Sequence, residues 1–110
     1  EVTQAMLEML GYRVMVAKNG KDAIHIAETF DGQIDLALLD IKLPDMEGGK
    51  VYPLVMEARP NLKVIVFSGY SIDGPAQKIL DAGAQDFLQK PFSLAILSEK
   101  LEEVLGGNNP

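Results

Sequence analysis

Short apolar runs alternate with amphipathic stretches along the chain. In the amphipathic stretches, apolar residues recur at spacings of three and four, which is the period of a helix packed on one face. The runs between them are short and β-prone, and each ends at a polar residue or a turn signal. These runs are Arg13–Ala17, Ile34–Leu39, Val64–Phe67 and Asp86–Gln89. The pattern predicts the order α-β-α-β-α-β-α-β-α.

The first two helices are predicted from their apolar faces and their caps. Gly11 closes the first helix at the C′ position, and Asn19 is the predicted N-cap of the second. The apolar stripe of the first helix is Val2, Ala5, Met6 and Met9. The buried side of the second helix is Ala23, Ile24, Ala27 and Phe30.

Proline and serine mark the remaining helices. Pro53 falls inside the apolar stripe of the third helix, so this helix either starts late, near Tyr52, or is kinked. Asp73-Gly74-Pro75 predicts the start of the fourth helix, with Pro75 at its first helical position. Ser93 is the predicted cap of the last helix. The apolar face of that helix is Leu94, Leu97, Leu101 and Val104.

The strict alternation of strands and helices indicates the α/β class. Ile34–Leu39 and Val64–Phe67 each contain four consecutive apolar residues, which suits strands covered on both faces. We therefore predict a doubly wound, open parallel sheet with helices on both faces. In such sheets, functional sites lie beyond the carboxyl ends of the strands.

Composition narrows the class of protein. The chain has 110 residues, of which 47% are hydrophobic and 24% charged, as expected for one globular domain. The absence of cysteine excludes disulfides, thiolate metal sites and cysteine nucleophiles. The net charge of −6 argues against direct nucleic-acid binding, and no apolar run approaches the roughly 20 residues of a membrane span. We expect a cytoplasmic domain over residues 1–105, without membrane contact, and a flexible tail or linker stump over 106–110.

Three polar residues stand at the ends of three successive predicted strands, namely Asp40, Ser68 and Lys90. Each alone fits an ordinary turn or surface position. Together they would bring a carboxylate, a hydroxyl and an ammonium group to one crevice, because the carboxyl ends of parallel strands meet at one edge. The single histidine, His25, is predicted on the outer side of the second helix, which disfavours catalytic triads and histidine metal sites.

Four segments together resemble a known family. Leu38–Gly48, which reads LLDIKLPDMEG, resembles the phosphoacceptor segment of two-component response-regulator receiver domains. Val64–Tyr70 looks like the receiver strand that ends in serine or threonine, and its Ser-Gly-Tyr end resembles receivers of hybrid histidine kinases. Gly83–Phe92 resembles the last strand with its Lys-Pro loop, and Asn19–Ala23 resembles the start of the second receiver helix.

The resemblance implies a role for each candidate residue. Asp40 would accept a phosphoryl group from a phosphohistidine of a histidine kinase or a histidine-phosphotransfer protein. Lys90 would pair with Asp40 and then with the phosphoryl oxygens, and Ser68 would hydrogen-bond one of those oxygens in the activated state. Phe87 would be the aromatic switch, whose ring rotates inward once Ser68 has moved towards the site. Asp40 and the backbone carbonyl of Lys42 are implied as ligands of Mg²⁺ or Mn²⁺, and the Lys90-Pro91 peptide as cis.

The chain departs from the receiver pattern at its start. Receivers open with a strand that ends in two acidic residues, whereas this chain begins in what resembles the helix after that strand. In the flavodoxin-like strand order 2-1-3-4-5, the missing strand belongs between Arg13–Ala17 and Ile34–Leu39. Omitted residues, another chain in the slot and a closed-up sheet are the alternatives, and we expect an N-terminal truncation. The Mg²⁺ site is weakened if the acidic pair is absent.

Two function classes follow. The first is a phosphoacceptor receiver of a two-component phosphorelay, either alone or as a module of a hybrid histidine kinase or larger regulator. It would undergo Mg²⁺-dependent self-phosphorylation and dephosphorylation at Asp40 and would not be a conventional enzyme. The second is a receiver-like protein-interaction module that works without phosphorylation. A small flavodoxin-fold enzyme is a third and more distant possibility, because no general base other than Asp40 is present.

A homodimer through the fourth helix, last strand and fifth helix is a further hypothesis.

Overall fold

The computed structural model describes residues 2–69 and 74–106. Within them lie five helices, which are α1 (Val2–Met9), α2 (Gly20–Thr29), α3 (Gly48–Ala58), α4 (Gly74–Asp81) and α5 (Leu94–Leu105). None of these helices is long and apolar enough to cross a bilayer. Tyr70 and Asp73, which belong to predicted motifs, and residues 107–110 of the predicted tail fall outside the described ranges.

Three parallel strands form the sheet. They are β1 (Leu36–Asp40), β2 (Lys63–Ser68) and β3 (Asp86–Gln89), in the order β1-β2-β3. The register pairs Asp40 with Phe67 and Ser68 with Gln89, so the three strands end at one edge of the sheet. The predicted parallel sheet is confirmed, although β1 begins two residues later than predicted and includes Asp40.

Helices cover both faces of this sheet. On one face Leu39, Val64 and Val66 belong to a buried cluster with side chains of α2, α3 and α4, including Ala27, Val51, Val55 and Ile79. On the other face Ile65 and Leu88 pack with Leu97 and Leu101 of α5, and with Met6, Leu7 and Leu10 on the α1 side. Full burial of such a side chain contributes roughly 1.5–3 kcal/mol, so β2 anchors both layers.

The predicted strand Arg13–Ala17 is wrong. Its residues belong to no strand, and the side chains of Met15 and Val16 are 47% and 52% exposed. A β-prone sequence becomes a strand only when a neighbouring strand accepts and donates its hydrogen bonds. No described segment pairs with residues 13–17, and among the described strands β1 is bonded to β2 alone.

The predicted caps are confirmed at both kinds of helix end. The Asn19 side chain accepts a hydrogen bond from Asp22 N, and Ser93 accepts one from Ile96 N. Gly11 has φ of 93° after α1, the left-handed conformation that glycine adopts without strain. There Tyr12 N donates to Leu7 O and Gly11 N to Glu8 O, which is the Schellman pattern.

Helix α3 runs through its proline. It begins at Gly48 and continues through Pro53 to Ala58, so a late start near Tyr52 is wrong. Pro53 has no N–H to donate to the carbonyl of Gly49, one turn earlier. The burial of Val51, Tyr52 and Val55 on the core side of α3 offsets the loss of this backbone hydrogen bond.

Two predicted apolar faces are partly wrong. Val2, Ala5 and Met9 are exposed, and α1 instead packs through Met6 and Leu7. Apolar periodicity identifies the helix, but the neighbouring elements decide which of its sides is covered. Phe30 is also exposed, because it lies beyond the end of α2 at the C-cap position.

Arg59 fastens the carboxyl end of α2. From the C-cap of α3, its Nε donates to Ala27 O and its Nη1 to Gly32 O, both at 2.8 Å, while Nη2 donates to Phe30 O. The guanidinium carbon also lies 5.9 Å from the centroid of the Phe30 ring. The last carbonyls of a helix carry partial negative charge, so a planar cation with several donors suits this position.

We predict that Arg59→Lys destabilises the fold by about 1–3 kcal/mol, because one ammonium group cannot replace a guanidinium group that donates to three carbonyls. Urea unfolding followed by circular dichroism measures the change. Arg13→Lys is the matched control, since the Arg13 side chain is exposed, and we expect it to stay within about 0.5 kcal/mol of wild type. Equal destabilisation by the two substitutions would contradict a stabilising role of the three Arg59 hydrogen bonds.

Candidate functional site

The carboxyl ends of the strands bring an acidic and a basic side chain together. Asp40 is the last residue of β1, and Lys90 follows β3 directly. Lys90 Nζ lies 3.0 Å from Asp40 Oδ2, and the two side chains remain 39% and 29% exposed, respectively. An ion pair this accessible contributes about 1 kcal/mol or less to stability. Both groups are therefore accessible to a reactant from solution.

Lys90 is held by its backbone as well as by its charge. Its N–H donates to Ser68 O at 2.7 Å, which continues the β2–β3 pairing beyond the strand ends. Its ammonium group lies 4.5 Å from the centroid of the Phe67 ring, and that ring packs edge-on against Phe92. The Lys90-Pro91 peptide is cis, as the sequence resemblance implied.

The second oxygen of Asp40 faces the following loop. Lys42 N donates to Asp40 Oδ1 at 3.1 Å, and Lys42 forms an antiparallel bridge with Glu47. Gly48 N donates to Ile41 O at 2.7 Å and so closes residues 41–48 into a compact loop. We call residues 41–47 the acceptor loop.

Ser68 and Phe87 lie on the same face of the sheet. Phe87 pairs with Val66, two residues before Ser68, so both side chains point to the face covered by α3 and α4. Ser68 is buried, at 5% exposure, and Phe87 is partly buried against that core cluster. The structure therefore places the predicted serine and aromatic residue on adjacent strands and on one face of the sheet.

A known family model covers most of the chain. Residues 1–102 match the response regulator receiver domain.

The chain belongs to the response regulator receiver domain family.

Curated relatives contain this receiver domain as one part. The chain is 33% identical over 99 residues to a cyclic di-GMP phosphodiesterase of Thermotoga maritima, covering 90% of this chain and 26% of that protein. It is also 33% identical over 99 residues to the sensor kinase CckA of Brucella abortus, covering 90% of this chain and 10% of the kinase. Its identity to the transcriptional regulator NtrC of Azospirillum brasilense is 35% over 109 residues, covering 99% of this chain and 22% of NtrC. The chain thus spans about a quarter or less of these relatives.

Solved receiver structures confirm the flavodoxin-like fold. A CheY-like receiver domain from Methanospirillum hungatei superposes with a TM-score of 0.86 at 35% identity, covering 96% of this chain and 83% of the other. The receiver domain of a Pseudomonas aeruginosa sensor histidine kinase superposes with a TM-score of 0.83 at 31% identity, covering 96% and 86%. That structure holds a magnesium ion in its active-site cleft.

Asp40 and Lys42 were predicted as ligands of a divalent cation, and the chemistry of their oxygen atoms can be compared with what Mg²⁺ requires. Mg²⁺ takes oxygen ligands in octahedral geometry and commonly keeps several waters. The carboxylate of Asp40 and the carbonyl of Lys42 are donors of the right kind, two residues apart. Within residues 2–69 and 74–106, however, no group of three or more acidic, histidine or cysteine side chains stands together for a metal ion. The two oxygen donors of Asp40 and Lys42 fit Mg²⁺ in chemistry.

The predicted exposure of His25 is confirmed, since this residue is exposed on α2.

Gly48 and Gly49 form the first turn of α3, and they differ sharply in the space around them. A Cβ on Gly48 would lie 2.7 Å from Asp40 O and 3.1 Å from Ile41 Cα, whereas one on Gly49 would meet nothing within 4 Å. Gly48 therefore allows the backbone of α3 to approach the phosphoacceptor candidate.

Sequence reasoning missed Asp45. Its carboxylate accepts hydrogen bonds from Gly20 N at 2.7 Å and Lys21 N at 3.0 Å, at the start of α2. The bond from Gly20 N, together with those from neighbouring backbone groups, holds the pKa of Asp45 below its ordinary value of 3.8. An aspartate in a Pro-Asp loop signals a turn locally, and nothing in the local pattern points to a partner 25 residues away.

We predict that Gly48→Ala destabilises the receiver domain by about 1–3 kcal/mol, because the added methyl group meets backbone atoms that cannot rotate away. Gly49→Ala is the matched control, and we expect it to be neutral or to stabilise by up to about 1 kcal/mol, since alanine is the better helix former. Denaturant unfolding measures both. Similar destabilisation by the two variants would show that close backbone approach is not the cause.

The lowered pKa of Asp45 predicts a pH-dependent contribution to stability. A depressed folded-state pKa means that the carboxylate stabilises the fold above the unfolded pKa, and that this stabilisation is lost as the pH falls through the folded value. The difference in urea midpoint between wild type and Asp45→Asn should therefore be present at pH 7 and shrink below about pH 4. Asp31→Asn is the matched control, because Asp31 is exposed, and it should leave the urea midpoint at pH 7 close to that of wild type. A difference that is constant with pH would contradict this explanation.

Proposed function

We propose that this receiver domain is the phosphoacceptor of a two-component phosphorelay and that Asp40 accepts the phosphoryl group. The single observation that carries the proposal is the partly exposed Asp40–Lys90 pair at 3.0 Å, at the carboxyl ends of parallel strands. A carboxylate that is accessible to a reactant and lies beside a cation can act as a nucleophile towards phosphorus.

The donor is a phosphohistidine of a histidine kinase or a histidine-phosphotransfer protein. An oxygen of the Asp40 carboxylate bonds to phosphorus while the phosphorus–nitrogen bond of the phosphohistidine breaks. The imidazole nitrogen keeps the electron pair of that bond and takes up a proton from solvent. Phosphoryl transfer needs mainly positioning and charge neutralisation, so the protein has little further covalent chemistry to perform.

Lys90, Ser68 and Phe87 then respond to the new charge. The phosphoryl group adds roughly 1.5 to 2 negative charges at neutral pH, by analogy with other phosphorylated side chains. The Lys90 ammonium group moves from the carboxylate to a phosphoryl oxygen, and the Ser68 hydroxyl donates to another. Because Phe87 lies on the same face as Ser68, movement of Ser68 changes the space into which the ring packs. The surface presented to partners changes as a result.

A divalent cation is part of this proposal. Asp40 and the Lys42 carbonyl would hold Mg²⁺, or Mn²⁺ in its place, with water completing the coordination. When bound, the cation neutralises charge on the phosphoryl oxygens. Since the described residues supply few donors, the requirement for the cation should saturate only at high concentration.

The context of the domain is also a proposal. A receiver of this kind works either alone or as one module of a hybrid histidine kinase or a larger regulator, as the sensor kinase and regulator relatives suggest. Dimerisation through α4, β3 and α5 stays a prediction.

A phosphorylation-independent interaction module is the second candidate. The observation in its favour is the lack, among the described residues, of a group of three metal-binding side chains. In this alternative, the Asp40–Lys90 pair serves only to hold the strand ends.

We predict that acetyl phosphate with Mg²⁺ adds a single phosphoryl group to the wild-type receiver and none to Asp40→Asn, because the amide is not a nucleophile. Intact-mass spectrometry measures the adduct. Asp35→Asn is the matched control, since Asp35 is an exposed carboxylate one residue before β1, and it should be labelled like wild type. Chelation of the cation should abolish labelling in both.

Absence of the adduct on wild type across a Mg²⁺ titration overturns the phosphoacceptor proposal for this chain and favours the interaction module. An adduct that persists in Asp40→Asn would place the acceptor elsewhere.

A further inference from the structure

The amino end of α2 is capped by side chains from two different segments. The first N–H groups of a helix have no partner within it. Asp22 N donates to the side chain of Asn19, which is the usual local cap, while Ala23 N makes the first backbone bond, to Asn19 O. Gly20 N and Lys21 N donate to the two carboxylate oxygens of Asp45. One carboxylate from the acceptor loop thus satisfies two of these groups at once.

Close packing keeps the acceptor loop at this helix end. A methyl group on Gly20 would lie 2.8 Å from a side-chain carbon of Val51 and closer still to Met46. The loop residue after Asp45 therefore lies directly against Gly20. The partial positive charge at the start of a helix adds a favourable interaction with the carboxylate.

Two backbone contacts hold the base of the acceptor loop, while Leu43 and Met46 pack against the buried core cluster. Gly48 N donates to Ile41 O, and Lys42 forms its bridge with Glu47, so both of these contacts close the base of the loop. Lys42 N in turn donates to Asp40 Oδ1. A shift of the outer part of the loop would move Lys42, and with it the donor that orients the Asp40 carboxylate.

We infer that Asp45 is a positioning residue for phosphoryl transfer at Asp40, acting by fixing the acceptor loop against the start of α2. This inference rests on the proposed function. Asp45 does not touch the reacting atoms. It keeps Lys42 in the position from which its N–H orients one Asp40 oxygen, while Lys90 holds the other.

A pair of alanine variants separates positioning from simple helix capping. Asp45→Ala and Asn19→Ala each remove a cap from the same end of α2, but only Asp45 belongs to the acceptor loop. Asp45→Asn is the conservative variant, because its amide oxygen can still accept one of the two backbone hydrogen bonds. All variants are compared at a temperature where circular dichroism shows them to be folded.

Two readouts are measured. The first is the rate at which acetyl phosphate and Mg²⁺ label the chain. We expect Asp45→Ala to slow it about ten-fold, since small misplacements of reacting groups are costly, with Asp45→Asn intermediate and Asn19→Ala close to wild type. The second is amide hydrogen exchange at Lys42 and Gly48, which needs no phosphorylation. We expect faster exchange in Asp45→Ala than in Asn19→Ala.

Equal slowing by Asp45→Ala and Asn19→Ala would overturn the inference and leave Asp45 as a helix cap. Unchanged exchange at Lys42 and Gly48 in Asp45→Ala would overturn it as well. A wild-type chain that takes no label would instead overturn the proposed function, and the exchange comparison would still decide whether Asp45 fixes the loop.

Discussion

The parallel pairing of β2 with both of its neighbours is the constraint on which the rest of the structure depends. Val64, Ile65 and Val66 are almost completely buried, and their alternating side chains anchor one helical layer on each face. The same pairing aligns the strand ends, so the last residue of β1 and the first residue after β3 meet at one edge. The position of Asp40 opposite Lys90 is therefore set by the apolar strand between them.

The site itself combines a rigid base with exchangeable contacts. On the side of the sheet, the site rests on buried strand residues and on the 2.7 Å hydrogen bond from Lys90 N to Ser68 O. Above it, the Asp40–Lys90 contact is partly exposed and contributes little to stability. An ammonium group on a flexible stem can exchange one oxygen partner for another at small energetic cost. The proposed phosphoryl transfer at Asp40 would benefit from this division.

Local patterns predicted what local forces decide. The apolar runs of β1 and β2, the caps Asn19 and Ser93, and the polar residues at the strand ends could all be read from the sequence. Residues 13–17 could not, because β-propensity does not reveal whether a partner strand lies alongside. The hydrogen bonds that join the two ends of α2 to Asp45 and to Arg59 connect residues 24 to 32 positions apart. No periodicity in the sequence marks such pairs.

Helix α2 is fastened at both ends to the segment that contains α3. Asp45, before α3, binds its first N–H groups, and Arg59, at the end of α3, binds carbonyls at and beyond its last turn. A ten-residue helix is about 15 Å long. Neither α2 nor α3 can slide along the other without breaking charged hydrogen bonds at both ends. The two helices should therefore move as one unit, so that a displacement of the acceptor loop is coupled to the carboxyl end of α2.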